Sequence, residues 1–242
     1  MSIDQHSFEV LGTRIDVVRK DIKNLHVGVY PPDGRVRVAA PRHLDDSAVR
    51  LAVVTRMGWI RRQRANFERQ ERQSQREYVT GESHYYQGRR YRLSVVERDA
   101  PPEVKPTGSR TIKLFVRPGT VRERREAIMH AWYRERLREN FSALLAKWEP
   151  RVGVQVSELR IKRMRTRWGT CNAPARRIWL NLELAKKPLQ CLEYILVHEM
   201  VHFLVRHHND DFRAMMTHLL PTWQQSRKEL NRAPLAHENW TY

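Results

Sequence analysis

Two histidines and a glutamate share one short segment, His198-Glu199-Met200-Val201-His202, which has the H-E-x-x-H spacing. Residues four apart lie one turn apart on the same face of a helix, so both imidazoles can reach one ion at about 2.0–2.1 Å. Glu199 lies on an adjacent face, where its carboxylate can take a proton from a water that zinc acidifies to a pKa of ~7. The segment therefore predicts a zinc site that does hydrolytic chemistry, with Glu199 as the general base.

The third metal ligand is expected shortly downstream, because a catalytic zinc ion usually has three protein ligands and one open position. The candidates are His207, His208 and Glu229. His208 comes directly before Asn209, a residue type that favours a helix start, and the intervening turn can fold back on the metal. We predict His208 as the ligand and expect His207 at the surface, whereas Glu229 would give a more distant carboxylate ligand.

Three residues outside this segment are candidates for substrate binding. Arg167 can stabilise an oxyanion or hold a phosphate, and Trp168 can either line the substrate rim or pack against the active-site helix. Asn181 can hydrogen-bond a substrate backbone or satisfy the edge of a strand. Residue types and spacing leave both alternatives open for Trp168 and Asn181.

The first 120 residues are rich in strand patterns. Alternating apolar residues predict strands in the first forty residues, with a hairpin turn at Pro31-Pro32-Asp33-Gly34, and again over 84–116. Apolar residues spaced three and four apart predict a helix over 45–76 between the two strand groups. No internal repeat is visible in the sequence.

The remaining residues favour helices. Apolar spacing predicts a long helix over 121–148, and further helices follow Pro188 and Asn209. Residues 157–165 and 178–182 have strand patterns, on either side of a predicted turn at 169–174. A small sheet is therefore expected beside the helix that carries the histidines.

Charge is the unusual feature of the composition, because Lys and Arg total 45 against 27 Asp and Glu, a net charge of +18. Such an excess favours polyanionic partners, and we expect weak, non-specific nucleic-acid binding along Arg160, Arg163 and Arg165. In the competing interpretation these arginines pair with the protein's own carboxylates.

The sequence also indicates a cytoplasmic protein. It shows no signal peptide, no apolar run of the ~20 residues that a membrane span needs, and two cysteines without C-x-x-C spacing. We therefore expect no membrane partner and no disulfide framework.

Several of these segments resemble the YgjP-like metallopeptidase family, which is related to the SprT and WLM proteases. They are His198–His202 followed by His208 and Phe212, the segment Arg167-Trp168-Gly169-Thr170-Cys171, and the strand that begins at Ile178. The resemblance covers nearly the whole chain, with threonine at position 170 where serine is commoner. It implies that His198, His202 and His208 bind zinc and that Glu199 is catalytic.

Together these patterns predict an α+β fold: a β-rich N-terminal region, residues 1–120, packed on a helical zincin-like core, residues 121–242, with a small antiparallel sheet. The leading function is a zinc-dependent peptidase acting on a peptide or protein. One alternative is a metal-dependent nucleotide pyrophosphatase, because an activity on UTP has been attributed to YgjP-like proteins. The second is a nucleic-acid-binding protein without enzymatic activity, for which the zinc site would be closed by four ligands.

Overall fold

The computed structural model describes residues 5–30, 34–69, 76–164 and 167–232. The chain divides into two compact units, one within residues 1–75 and the other within residues 76–233. The predicted hairpin residues Pro31, Pro32 and Asp33 lie outside the described residues. Among the helices described, none is both long enough and apolar enough to cross a membrane.

The first unit is a four-stranded sheet followed by two helices. The strands are β1 (Gln5–Val10), β2 (Thr13–Lys20), β3 (His26–Tyr30) and β4 (Arg35–Pro41), in the order β1-β2-β4-β3. Only the central pair, β2 and β4, is parallel. Alternate residues such as Ile15, Val17 and Val36 point to one face and form a core with Val49 and Ile60 of the helices.

In the described part of the helix predicted over 45–76 there are two helices, α1 (Asp46–Thr55) and α2 (Met57–Arg69), and residues 70–75 lie outside the described residues. Asp45 caps α1 by accepting a 2.8 Å hydrogen bond from the Ala48 N–H. Arg56 ends α1, because its N–H donates to the carbonyl oxygens of Val53 and Val54 and its backbone leaves the helical conformation. The apolar spacing continues across the break, so it could not be seen in the sequence.

The second unit begins with another four-stranded sheet, of β5 (Ser83–Tyr86), β6 (Arg89–Glu97), β7 (Glu103–Thr107) and β8 (Thr111–Val116). Its order, β5-β6-β8-β7, and its strand directions repeat those of the first sheet. Both first hairpins turn through two residues with positive φ, Leu11-Gly12 and Gln87-Gly88, as type I′ turns require. The structure thus contains a repeated module that the sequence pattern did not reveal.

Helix α3 (Arg122–Val152) follows the second sheet and joins it to the rest of the unit. Met129, Trp132 and Leu137 of α3 belong to one continuous core with Leu93 and Ile112 of the sheet. The predicted division into residues 1–120 and 121–242 stays a prediction, and β5–β8 lie in the second unit.

A third sheet contains β9 (Glu158–Lys162), β10 (Gly169–Asn172) and β11 (Arg177–Asn181), in the order β10-β11-β9. Residues 169–172, predicted as part of a turn, pair antiparallel with β11, and β9 pairs with β11 in parallel. The α+β class is confirmed, but this small sheet is mixed and not wholly antiparallel. Four residues of Gly, Thr, Cys and Asn carry no apolar alternation, which is why β10 was not predicted as a strand.

Candidate metal centre

The first two histidines are carried by helix α4 (Leu189–Val201). Pro188 is the cap residue before the first helical residue, Leu189, and the missing N–H of proline costs no helical hydrogen bond there. Most of α4 is buried, since apolar residues occur on nearly all of its faces. His198 lies in its last turn, and His202 caps its end by donating its backbone N–H to the His198 carbonyl at 3.3 Å.

His208 returns to these histidines because the chain turns sharply after α4. Backbone hydrogen bonds from Phe203 and Val205 to the end of α4 close this turn. Helix α5 (Asp210–Leu219) then begins at the predicted cap, where the Asn209 side chain accepts a 3.0 Å hydrogen bond from the N–H of Phe212. The turn and the cap together fix where His208 lies.

Three imidazole nitrogens converge at this point. The Nε2 atom of His208 lies 3.0 Å from Nε2 of His198 and 3.1 Å from Nε2 of His202. Three nitrogens around one tetrahedral zinc ion at about 2.05 Å would lie about 3.3 Å apart, so the arrangement is close to that of a metal site. Among the described residues, this is the group of His, Cys, Asp and Glu side chains that could hold an ion.

The protonation of these rings suits metal binding. His202 Nδ1 lies 3.0 Å from the Val205 carbonyl oxygen, and donating a proton there leaves Nε2 free as a ligand. Burial lowers the pKa of His198 to about 3 and also lowers the pKa of His208, with neighbouring histidine charges acting in the same direction. Three Nε2 atoms that meet at one point, with His198 and His208 held neutral by their lowered pKa values, match the donor set that zinc prefers.

Aromatic side chains support the three imidazoles. The buried ring of Phe212 lies 4.6–4.9 Å from the ring centres of His198, His202 and His208. The ring of Tyr194 meets His198 edge-on at 5.8 Å and stacks on Trp223, the first residue of helix α6 (Trp223–Arg232). Packing on several sides leaves these rings little freedom to rotate.

The Glu199 carboxylate lies against β10. A Cβ atom on Gly169 would lie 2.7 Å from Glu199 Oε1, so only glycine leaves room for the carboxylate there. Burial raises the pKa of Glu199 to about 7, and a hydrogen bond from the Cys171 thiol and the charge of Arg167 act in the opposite direction. The Cys171 thiol has its own pKa raised to about 11 by burial and by Glu199, so it stays protonated and can donate.

Comparison with known proteins now identifies the family. A family model described as YgjP-like, metallopeptidase domain, matches residues 23–233. The chain belongs to this family. It is therefore a metallopeptidase-type hydrolase, an enzyme that uses a metal and acts on peptides or proteins.

Solved structures and the curated proteins were also compared with the chain. The solved structure of the metallopeptidase zymogen abylysin from Pyrococcus abyssi is 18% identical, with a TM-score of 0.34, and the match covers 39% of this chain and 98% of that one. No curated protein matches the chain.

In this YgjP-like chain, the predicted substrate residues have different surroundings. Arg167 is exposed and close enough for its charge to act on Glu199. Trp168 is partly buried against the core, and the Lys187 Nζ atom lies 5.3 Å from the centre of its ring. Both candidates directly precede β10 in the chain.

The Asn181 side chain forms its hydrogen bonds with backbone groups of the protein itself. Its Nδ2 donates to the carbonyl oxygens of Met164 and Arg167 at 2.7 and 2.9 Å, and its Oδ1 accepts from the N–H groups of Met164 and Glu183. An amide has two donor hydrogens and two acceptor sites, so no hydrogen-bonding capacity remains for a substrate. Asn181 holds the segment that leads to Arg167.

The other two ligand candidates lie outside the cluster. His207 is exposed, and Glu229 on α6 accepts a hydrogen bond from the Gln190 side chain. Neither belongs to the group of converging ligand atoms in the described part of the chain. The contacts of Phe212 and Cys171 could not be predicted from spacing, because both depend on how separate elements pack.

The arginines of the predicted nucleic-acid track make ion pairs. Arg160 pairs with Glu158, which also pairs with Arg177, and an Arg163 nitrogen lies 3.6 Å from a carboxylate oxygen of Glu126. Arg165 lies outside the described residues. The two described members of the track thus follow the competing interpretation.

Proposed function

We propose that this chain is a zinc-dependent metallopeptidase in which His198, His202 and His208 hold the metal and Glu199 is the general base. The convergence of three Nε2 atoms carries the proposal, because an H-E-x-x-H helix alone supplies only two ligands. Bound zinc would polarise a scissile carbonyl and acidify a water molecule.

The protein's own groups are suited to the proton transfers of peptide hydrolysis. A carboxyl group with a pKa near neutrality can accept a proton from the attacking water and return it to the leaving amine. The Glu199 carboxylate sits against Gly169, and the Cys171 thiol donates to it, so its position is restrained before substrate binds. Arg167 is suited to stabilising an oxyanion, and Trp168 to forming part of the rim.

Strand β10 favours a peptide as the substrate. Within the described residues it pairs with β11 along one side only, and it packs against α4, where Glu199 lies. An extended peptide could add to its free edge through backbone hydrogen bonds and bring a scissile bond beside Glu199. Asn181 and the loop it holds would support this strand without touching the substrate.

The alternative functions gain no comparable support. A structural zinc site normally has four protein ligands, whereas three converge among the described residues, which favours an open catalytic site. Among the described residues, Arg167 is the basic group whose charge acts on Glu199. One guanidinium is suited to stabilising an oxyanion as well as to binding a phosphate, so it does not favour a nucleotide substrate.

The test is the Glu199→Gln variant, with an unfolded protein and UTP assayed as separate substrates. Glutamine keeps the size of the side chain but cannot take a proton, so we expect peptide hydrolysis to fall roughly 10²–10⁴-fold with one zinc per chain retained. Glu229→Gln is the matched control and should keep both zinc and activity. Full activity of Glu199→Gln would refute the mechanism, and hydrolysis of UTP alone by the wild type would favour the nucleotide alternative.

A further inference from the structure

One face of the second sheet carries a concentration of positive charge far from the ligand cluster in sequence. Tyr91, Leu93, Ile112 and Leu114 point from β6 and β8 into the core. Because successive side chains of a strand point to opposite faces, the residues between them lie on the outer face. We define the basic face as the outward residues Arg90, Arg92, Lys105, Lys113, Tyr85 and Phe115.

Strand pairing places these residues side by side. Arg90 is the cross-strand partner of Tyr85, and Lys113 that of Lys105. Neighbouring strands lie about 4.8 Å apart, and alternate residues of one strand about 6.6 Å apart. The cations therefore form a continuous track across three strands instead of scattered points.

Most of this charge has no ion-pair partner among the described residues. Arg90 and Arg92 are exposed and Lys113 partly exposed, and none of the three forms an ion pair within the described ranges. Glu103 is the carboxylate on this face, and it pairs with Lys105 at 2.6 Å and with Arg98 at 2.8 Å. Like charges directly opposite each other, such as Lys105 and Lys113, destabilise a sheet. An external anion would relieve that repulsion.

Aromatic rings flank the cations. Tyr85 lies beside Arg90, and Phe115 follows Lys113 by two residues on the same face. The Arg98 guanidinium lies 4.1 Å from the centre of the Phe115 ring, which adds a planar cation to the surface. Proteins that bind single-stranded nucleic acids combine a positive track for phosphates with planar groups on which bases stack.

We propose that the basic face binds single-stranded nucleic acid without sequence preference, at a site separate from the metal centre. A phosphate backbone supplies a row of charges that matches the track, and the bases supply rings for Tyr85. An acidic protein segment would match the charge alone, so the rings favour nucleic acid. This site replaces the track predicted at Arg160–Arg165, whose described arginines are in ion pairs.

The test compares two variants of the full, zinc-loaded chain with equal loss of charge. One carries Arg90→Gln, Arg92→Gln and Lys113→Gln. The matched control carries Arg14→Gln, Arg136→Gln and Arg160→Gln, which remove arginines that pair with Asp16, Glu139 and Glu158. Binding of a fluorescent 20-nucleotide oligothymidylate is measured by anisotropy from 50 to 200 mM salt, and zinc content and thermal unfolding check that both variants fold.

We expect the first variant to bind at least ~10-fold more weakly at 50 mM salt, and its slope of log affinity against log salt to fall by about 2, since three phosphate contacts are lost. The control should stay within about twofold of the wild type. Tyr85→Leu should weaken binding about fivefold or more through lost stacking. Equal losses in both triple variants, or no binding by the wild type at 50 mM salt, would overturn the proposal, as would displacement by polyglutamate as effective as displacement by unlabelled oligonucleotide.

Discussion

At the scale of single residues, the third ligand depends on which of two adjacent histidines faces the metal. His208 contributes the nitrogen that lies within 3.1 Å of the other two, and within the described residues His207 does not belong to the converging group. We expect His208→Ala to lower zinc affinity at least ~100-fold, because a three-ligand site becomes a two-ligand site, and His207→Ala to leave it almost unchanged. Competition with a chelating dye measures both affinities. The reverse order of losses would assign the ligand to His207.

We expect Gly169 to matter for catalysis because the Glu199 carboxylate packs directly against it. A methyl group there would approach Glu199 Oε1 to 2.7 Å and Ile195 Cγ2 to 2.8 Å, so the carboxylate must move. A shift of about 1 Å at a catalytic group can lower the rate 10²-fold, and we expect Gly169→Ala to lose about that much activity and keep its zinc.

Gly58 provides a matched control for this change. Its added methyl group would meet nothing nearer than 3.7 Å, so Gly58→Ala should keep full activity. If Gly169→Ala were as active as Gly58→Ala, the close approach would have no bearing on catalysis.

At the scale of elements, we expect the stability of the first turn of α5 to affect zinc affinity. The Asn209 side chain accepts a hydrogen bond from the N–H of Phe212, and the Phe212 ring contacts all three imidazoles. Removing such a cap costs about 0.5–2 kcal/mol. We therefore expect Asn209→Ala to weaken zinc binding about 3–30-fold by loosening His208, without removing a ligand.

Asn209→Ser is the control, since serine is also a good cap and should restore most of the affinity. Zinc affinities are again measured by chelator competition, alongside helix content by circular dichroism. Equal affinities in the alanine and serine variants would mean that the cap does not position His208.

Some elements could be predicted from the sequence, and others could not. Apolar periodicity and capping residues predicted α3, α4 and α5, and the same helix pattern brought His198 and His202 together. Neither β10 nor the parallel pairing of β9 with β11 could be predicted, because both depend on backbone hydrogen bonds between distant segments. The contact between Glu199 and Gly169 depends on the position of β10, so it could not be predicted from the sequence either.

The repeated module was hidden for a different reason. Equivalent elements begin at Thr13 and Arg89, at Arg35 and Thr111, and at Asp46 and Arg122, a constant spacing of 76 residues. A sheet of this topology needs only alternating apolar residues and a turn of suitable type, so two copies can share an arrangement with few identical residues.

At the scale of the whole molecule, buried histidines should make stability depend on pH. His84, on β5, and His130, on α3, belong to the second unit and lie away from the metal ligands in sequence. Burial lowers the pKa of each to about 4, and the nearby carboxylate of Glu82 only partly offsets this for His84. Both imidazoles are therefore neutral in the folded chain at pH 5–6.

The unfolded chain binds these protons first, because an unperturbed imidazole has a pKa of about 6.5. The free energy of unfolding should then fall as the pH drops from about 6.5 to about 4, by up to ~1.4 kcal/mol per pH unit for each histidine. Above pH 6.5 neither state takes up the proton, so this contribution to stability is fully present there.

Replacing His130 with glutamine removes one titrating group and should flatten this dependence. Urea unfolding of the metal-free protein is followed by tryptophan fluorescence between pH 4.5 and 7.5, with EDTA present so that zinc release does not contribute. His218→Gln, which replaces an exposed histidine of the same unit, is the control. We expect the free energy of unfolding of His130→Gln to fall less steeply below pH 6.5 than that of the wild type, by about 1 kcal/mol per pH unit. Parallel curves for His130→Gln and the wild type would show that the His130 imidazole is protonated equally in the folded and unfolded chains, and its burial would then have no effect on stability.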